Sequence, residues 1–170
     1  QSTGEVVSPT GESGGGISIL PLSRTSTDER AVTLRLTPFR KNPMRVLLTG
    51  GTGAIGSHTA IELLEAGHEV TLIDNFSNSK PAVLDRLREI TGQQMDFFEI
   101  DVRDEAALED LMTVRPFDAV IHFAAPKAVE ESVRRPLHYY QNSVGGTATL
   151  CEVLDRHGVR NLVYSSSATV

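Results

Sequence analysis

The stretch Arg45-Val-Leu-Leu-Thr-Gly-Gly-Thr-Gly-Ala-Ile-Gly-Ser-His58 limits what this chain can fold into more than any other segment does. Val46, Leu47 and Leu48 are an unbroken apolar run of strand length, the pattern of a strand covered on both faces of a parallel sheet. Gly50, Gly51, Gly53 and Gly56 follow, and the pattern turns helical from Gly53 to about Ala66, where Gly67 supplies a C-terminal stop. Glycine accepts positive φ and lets backbone come close. A turn of this kind therefore aims amide donors and a helix N-terminus at a pyrophosphate. Gly56, one turn into the helix, lets the helix pack tightly on the strand.

A glycine-rich turn can also do no more than join a strand to a helix, so its context matters. The next strand, Glu69 to Ile73, ends in Asp74, 18 positions after Gly56. A carboxylate at that place accepts hydrogen bonds from an adenosine ribose. No lysine or arginine follows Asp74 until Lys80, so nothing adjacent neutralises a 2′-phosphate, and the cofactor expected is NAD rather than NADP.

From Met44 onward strands and helices alternate. In the first helix Ile55, Ile61, Leu63 and Leu64 are expected to face the sheet. A polar loop, Asn75 to Ser79, leads to a helix opened by Lys80-Pro81 and running to about Ile90. Met95 to Ile100 reads as the third strand, ending in Asp101, with a helix from about Asp104 to Met112. Ala119 to Ala124 reads as the fourth strand, a long helical region runs to about His157, and Asn161 to Ser165 makes the fifth strand. Helical crossovers require parallel strands and right-handed connections. The fold expected is α/β, a doubly wound parallel sheet in the order 3-2-1-4-5 of the Rossmann type, with ligands beyond the carboxyl ends of the strands.

Composition narrows the function classes. With Lys+Arg 16 against Asp+Glu 22, the net charge of −6 argues against a nucleic-acid partner. No apolar stretch approaches the ~20 residues that span a bilayer, and no basic-then-apolar signal opens the chain, so a cytoplasmic protein with no membrane partner is expected. The one cysteine, Cys151, lies among Leu150, Val153 and Leu154 and reads as a buried spectator thiol. His58, His68, His122, His138 and His157 show no ligand spacing, so no metal site is expected, and His122 in its apolar strand reads as a satisfied core histidine. Glu105, Glu109 and Asp110 read as a solvated helix face.

Residues 1–43 are rich in Gly, Ser, Thr and Pro and read as a disordered leader or a non-native extension; 44–170 read as the dinucleotide-binding domain. Position 1 is Gln, and the chain stops just past the fifth strand, so a fragment cut short within the fold is expected.

Several motifs occur together in order: Thr49-Gly-Gly-Thr-Gly-Ala-Ile-Gly56, Asp74-Asn75 with Asn78-Ser79, His122-Phe-Ala-Ala125, Lys127-Ala-Val129, Glu131-Ser-Val133, Tyr139-Tyr140, Asn142, Gly146-Thr147 and Ser165 to Val170. Over 44–170 this set resembles the extended short-chain dehydrogenase/reductase family, and within it the sugar-nucleotide epimerases. The resemblance implies NAD held at Gly50, Gly53 and Gly56, with Ala54 and Ile55 at the pyrophosphate. It places Asp74, Asn75, Phe76, Ser77, Asn78 and Ser79 around the adenosine and Asp101 and Val102 beside the adenine. Phe123, Ala124, Ala125 and Lys127 fall on the nicotinamide side, with Asn142 close by, and Ser167 is implied as the catalytic serine that hydrogen-bonds the sugar hydroxyl.

The activity implied is NAD-dependent interconversion of UDP-glucose and UDP-galactose: oxidation at C4, rotation of the 4-keto sugar and hydride return, with a homodimer at full length. The family commonly has an aromatic residue where Ala54 stands, glycine at Ala125 and Glu130, and asparagine at Ser143. The family's base, a tyrosine with a lysine four residues on, has no counterpart here: Tyr139, Tyr140 and Tyr164 are followed at that spacing by Ser143, Val144 and Ala168. Turnover by this piece alone is not expected. A sugar-nucleotide dehydratase or decarboxylase shares the same first half, and a non-catalytic NAD-binding module stays open. The choice between plain and N-acetylated sugars is not encoded in these residues.

Overall fold

A computed structural model describes residues 42–166. The strands are β1 (Arg45–Thr49), β2 (Glu69–Asp74), β3 (Asp96–Glu99), β4 (Ala119–His122) and β5 (Leu162–Tyr164). All pair in parallel in the order β3-β2-β1-β4-β5, as the helical crossovers demand. Helices α1 (Ala54–Glu65) and α2 (Ala82–Thr91) connect the first three strands, and α3 (Glu105–Val114) leads from β3 to β4. Between β4 and β5 run α4 (Val129–Arg134), α5 (Pro136–Tyr139), a π-helical segment (Tyr140–Gly145) and α6 (Gly146–Arg156). The expected leader lies outside the described residues apart from Asn42 and Pro43, and Ser167 lies outside them too.

Alternation along the strands divides the core in two. Val46 and Leu48 of β1 and Val70 and Leu72 of β2 pack with Ala60 and Leu64 of α1 and Leu87 of α2 on one face. Leu47, Ile73 and Val120 point the other way, onto Leu108, Leu111 and Met112 of α3 and Leu150, Val153 and Leu154 of α6. Past their first residues β1 and β2 are buried at every position and so pack on both faces, which is what a doubly wound sheet requires. At the sheet edge, β5 exposes Leu162, Val163 and Tyr164. No helix among the described residues is long and apolar enough to cross a membrane.

Four expectations fail in instructive ways. Ile55 does not face the sheet; it is 60% exposed, because the buried stripe of α1 is Gly56, Ala60 and Leu64, four residues apart. Cys151 is exposed, since the stripe that α6 buries is Gly146, Leu150, Val153 and Leu154, and position 151 lies about a third of a turn off that stripe's centre. Glu105 and Glu109 are not a merely solvated face: both accept from Arg156, and Glu109 also meets His157 at 2.6 Å, which ties α3 to α6. The region expected as one long helical run is broken at Arg135, whose φ of −133° precedes Pro136 at the first position of α5.

Candidate functional site

An open cleft lies beyond the carboxyl ends of β1, β2, β3 and β4, where strand order reverses between β1 and β4. That is the place at which a doubly wound sheet binds ligands. One wall is the glycine turn. Gly50 has φ +67°, and a Cβ there would stand 2.8 Å from the backbone N of Ala124, so only glycine lets the turn approach the strand beside it. A Cβ on Gly56 would run into the carbonyl oxygen of Gly50 and come within 2.9 Å of Gly51 Cα. Gly53 caps α1 without a side chain, leaving the first-turn amides of the helix uncapped and facing the end of the sheet.

The loop after β2 is built around one carboxylate. Asp74, only 9% exposed, accepts from Phe76 N at 2.9 Å and Ser79 Oγ at 3.0 Å through Oδ1, and from Thr52 N at 3.1 Å through Oδ2. Ser79 spends its one proton on Asp74, so in its 2.7 Å contact with Thr52 the threonine hydroxyl donates. Asp74 therefore braces the glycine turn as well as its own loop, and Oδ2, with a single partner, is the oxygen that still has room for a ligand hydroxyl. Phe76 takes a left-handed φ of 54°, and its ring packs on Phe97 at 5.0 Å.

Asp101, after β3, accepts from Arg103 through both oxygens and from Asn75 Nδ2 at 2.9 Å. The hydrogen-bonded Arg103 guanidinium holds its carboxyl well below the usual carboxylate range. The opposite lip is the loop after β4, Phe123 to Pro126, faced by Asn142 from the π-helical segment, whose Nδ2 donates to His138 O at 2.8 Å. π-Helical turns of this kind often mark functional sites.

Of the residues expected to hold a dinucleotide, the fold gathers Gly50, Gly53, Asp74, Asn75, Ser77, Asn78, Ser79, Asp101, Val102, Phe123, Ala124, Ala125 and Asn142 around this one cleft. Gly56 stands beneath the turn as a packing residue. The side chains of Ala54 and Ile55 lie on the outer face of α1 with His58, Thr59 and Glu62, so only their backbone amides point toward the cleft end of the helix. Phe76 and Lys127 are not among the cleft's lining residues. Ile73 and Ile100 line it without having been singled out; each is the apolar residue just before a strand-end aspartate, a position that the sequence did mark. The donor set suits a dinucleotide: glycine-shaped backbone for a pyrophosphate, a fixed carboxylate oxygen for a ribose, and an apolar lip for a ring.

Over residues 46–170 the chain matches the NAD dependent epimerase/dehydratase family. It is 50% identical over 127 residues to the UDP-glucose 4-epimerase of Bacillus subtilis (strain 168), a match covering 75% of this chain and 38% of the relative. Against the UDP-glucose 4-epimerase of Mus musculus it is 53% identical over 132 residues, 74% of this chain and 38% of the relative. Its fold is similar to that of the UDP-glucose-4-epimerase from Stenotrophomonas maltophila solved with bound NAD and formylated UDP-arabinopyranose: TM-score 0.73, 44% identity, 75% of this chain and 38% of that one. The enzyme from Bifidobacterium longum in complex with NAD+ and UDP gives TM-score 0.73 at 47% identity, over 74% of this chain and 38% of that one. The chain thus spans less than two fifths of the length of these relatives.

Proposed function

The chain belongs to the NAD dependent epimerase/dehydratase family, and from that premise we propose that it is the NAD-binding part of a UDP-glucose 4-epimerase. The observation that carries the reading is the convergence on one cleft of the glycine turn, the Asp74 loop, the lip after β4 and Asn142. The uncapped first turn of α1 and the Gly50–Gly53 backbone would hold the pyrophosphate, and Asp74 Oδ2 the adenosine ribose. Asp101 and Asn75, locked to each other, would wall the adenine side, with Phe123 to Ala125 and Asn142 on the nicotinamide side. NAD held there would supply hydride-transfer chemistry at the C4 of a UDP-sugar such as UDP-glucose or UDP-galactose.

Ser167, outside the described residues, is proposed to orient the sugar hydroxyl. Its proton must pass to a base in the same step, and the Tyr-x-x-x-Lys arrangement that serves relatives in this role is not among residues 1–170. We therefore assign this chain cofactor binding and place turnover in a protein that also carries that base. A homodimer contact is proposed on the exposed apolar face of Val129, Val133, Leu137, Tyr140 and Val144. The lone cysteine fits a cytoplasmic location.

The test is NAD binding by calorimetry to the 170-residue chain beside Asp74→Ala. Saturable one-to-one binding that weakens by about tenfold or more in the variant supports the reading, since a charged acceptor's hydrogen bond to a ligand is worth about 1.5–3 kcal/mol. Absence of binding by the folded chain overturns it. The dimer is checked by light scattering.

A further inference from the structure

Below the apolar lip, one imidazole sits in a chain of hydrogen bonds that the cofactor reading does not use. Thr147 Oγ1 lies 2.6 Å from the carbonyl oxygen of Ser143. A carbonyl only accepts, so the single hydroxyl proton of Thr147 is committed there. In the 3.0 Å contact between Thr147 Oγ1 and His122 Nε2 the imidazole must then be the donor. His122 is 2% exposed, and burial, with the charge of Lys127 adding to it, pushes its pKa down to about 4, so the ring is neutral near pH 7. A neutral ring with its proton on Nε2 presents a lone pair at Nδ1, which accepts from Thr49 Oγ1 at 2.5 Å. Thr49 Oγ1 accepts in turn from the Ala124 N–H at 3.3 Å. One order of protons satisfies all four contacts, running from Ala124 through Thr49, His122 and Thr147 to Ser143.

The two ends of this chain belong to the two segments that together make the far wall of the cleft. Ala124 is in the loop after β4, and Ser143 follows Asn142 in the π-helical segment. We propose that His122, as its Nε2–H tautomer, is a positioning residue that sets the spacing between Ala124 and Asn142 and so the fit of the ligand between them. The assignment deepens the NAD reading and rests on it for the ligand. Reversing any one bond of this chain would set two donors or two acceptors face to face, so the two segments are held at one separation rather than a range.

The experiment uses the 170-residue chain with long-range 1H–15N NMR of the His122 ring, amide resonances of Ala124 and Asn142, and NAD calorimetry, for the wild type, Thr147→Val and Thr147→Ser. Expected are an Nε2–H tautomer in the wild type, and in Thr147→Val linked shifts of both amides with about tenfold weaker NAD binding, the worth of one buried hydrogen bond. Thr147→Ser, which keeps the hydroxyl, restores both. An Nδ1–H ring in the wild type overturns the proposal, and so does a folded Thr147→Val with unmoved amides or unchanged affinity. If Thr147→Val does not fold, the wild-type tautomer decides, because an Nδ1–H ring cannot donate to Thr147. A wild type that binds no NAD overturns the cofactor reading instead, and the paired amide shifts then decide the positioning of the two segments on their own.

Discussion

The two walls of the cleft are held by different means. The wall made by Gly50–Gly56 and Asp74–Ser79 is local: its shape comes from backbone that only glycine can adopt and from one aspartate bonded to residues 2 and 5 positions on and to the turn 22 positions back. The wall made by Phe123–Pro126 and Asn142 is assembled from afar. It depends on Thr49 of β1 meeting His122 of β4, 73 positions away, and on His122 meeting Thr147 of helix α6. A wall of the first kind is written into consecutive residues; one of the second kind exists only once the sheet has formed.

The comparison predicts where the molecule breaks. The largest effect is expected from Gly56→Ala, since the new Cβ meets the Gly50 carbonyl oxygen and Gly51 Cα, both backbone and unable to yield. A loss of about 3 kcal/mol or more is expected, read as a collapse of the thermal transition, and a Tm within a degree or two of wild type would show that the turn tolerates a side chain.

The distant wall breaks by acid instead. His122 has a folded pKa of about 4 against an ordinary 6.5, so between those values the unfolded chain takes up a proton that the folded chain refuses. Its contribution is complete above pH 6.5, is lost as pH falls toward 4 and changes no further below that. The loss amounts to about 3 kcal/mol by proton linkage. Denaturant titrations across this range on the wild type and His122→Phe check it: the variant, which has no ring to protonate, should show a flatter dependence, and equal slopes would remove His122 as the cause.

A smaller effect sharpens the local wall. No lysine or arginine follows Asp74 until Lys80, so NADP should bind about tenfold or more weakly than NAD, measured by competition calorimetry. Equal affinities would mean that Asp74 Oδ2 does not face the ribose. The smallest effect belongs to neither wall: Cys151→Ser should change stability by no more than about 0.5 kcal/mol, and the native thiol should react at once with a thiol reagent, because it stands outside the buried stripe of α6.

Much of the fold and half of the candidate site are legible in the residues themselves. Strand order followed from apolar runs joined by helical crossovers, and the strand-end positions of Asp74 and Asp101 located the cleft. Hydrophobic pattern failed where it could not say which stripe of a helix was spent on the core. In α1 the close crossing at Gly56 chose the stripe and turned Ile55 outward. In α6 a stripe starting at Gly146, whose Cβ would stand 2.9 Å from Val102, left Cys151 outside. The π-helical segment carried no residue signature at all, since nothing in Tyr140 to Gly145 itself demands an extra residue in the turn.

By itself, the sequence determined a parallel doubly wound sheet, the glycine turn and the carboxylate that braces it, because each depends on residues close together in the chain and on backbone sterics that hold in any context. Only the tertiary structure decided which faces were buried, how the helical region after β4 was broken, and that a neutral His122 joins the two segments of the far wall. Those outcomes depend on distances between elements far apart in the chain, and a hydrogen bond across 73 positions has no pattern until both its ends are in place.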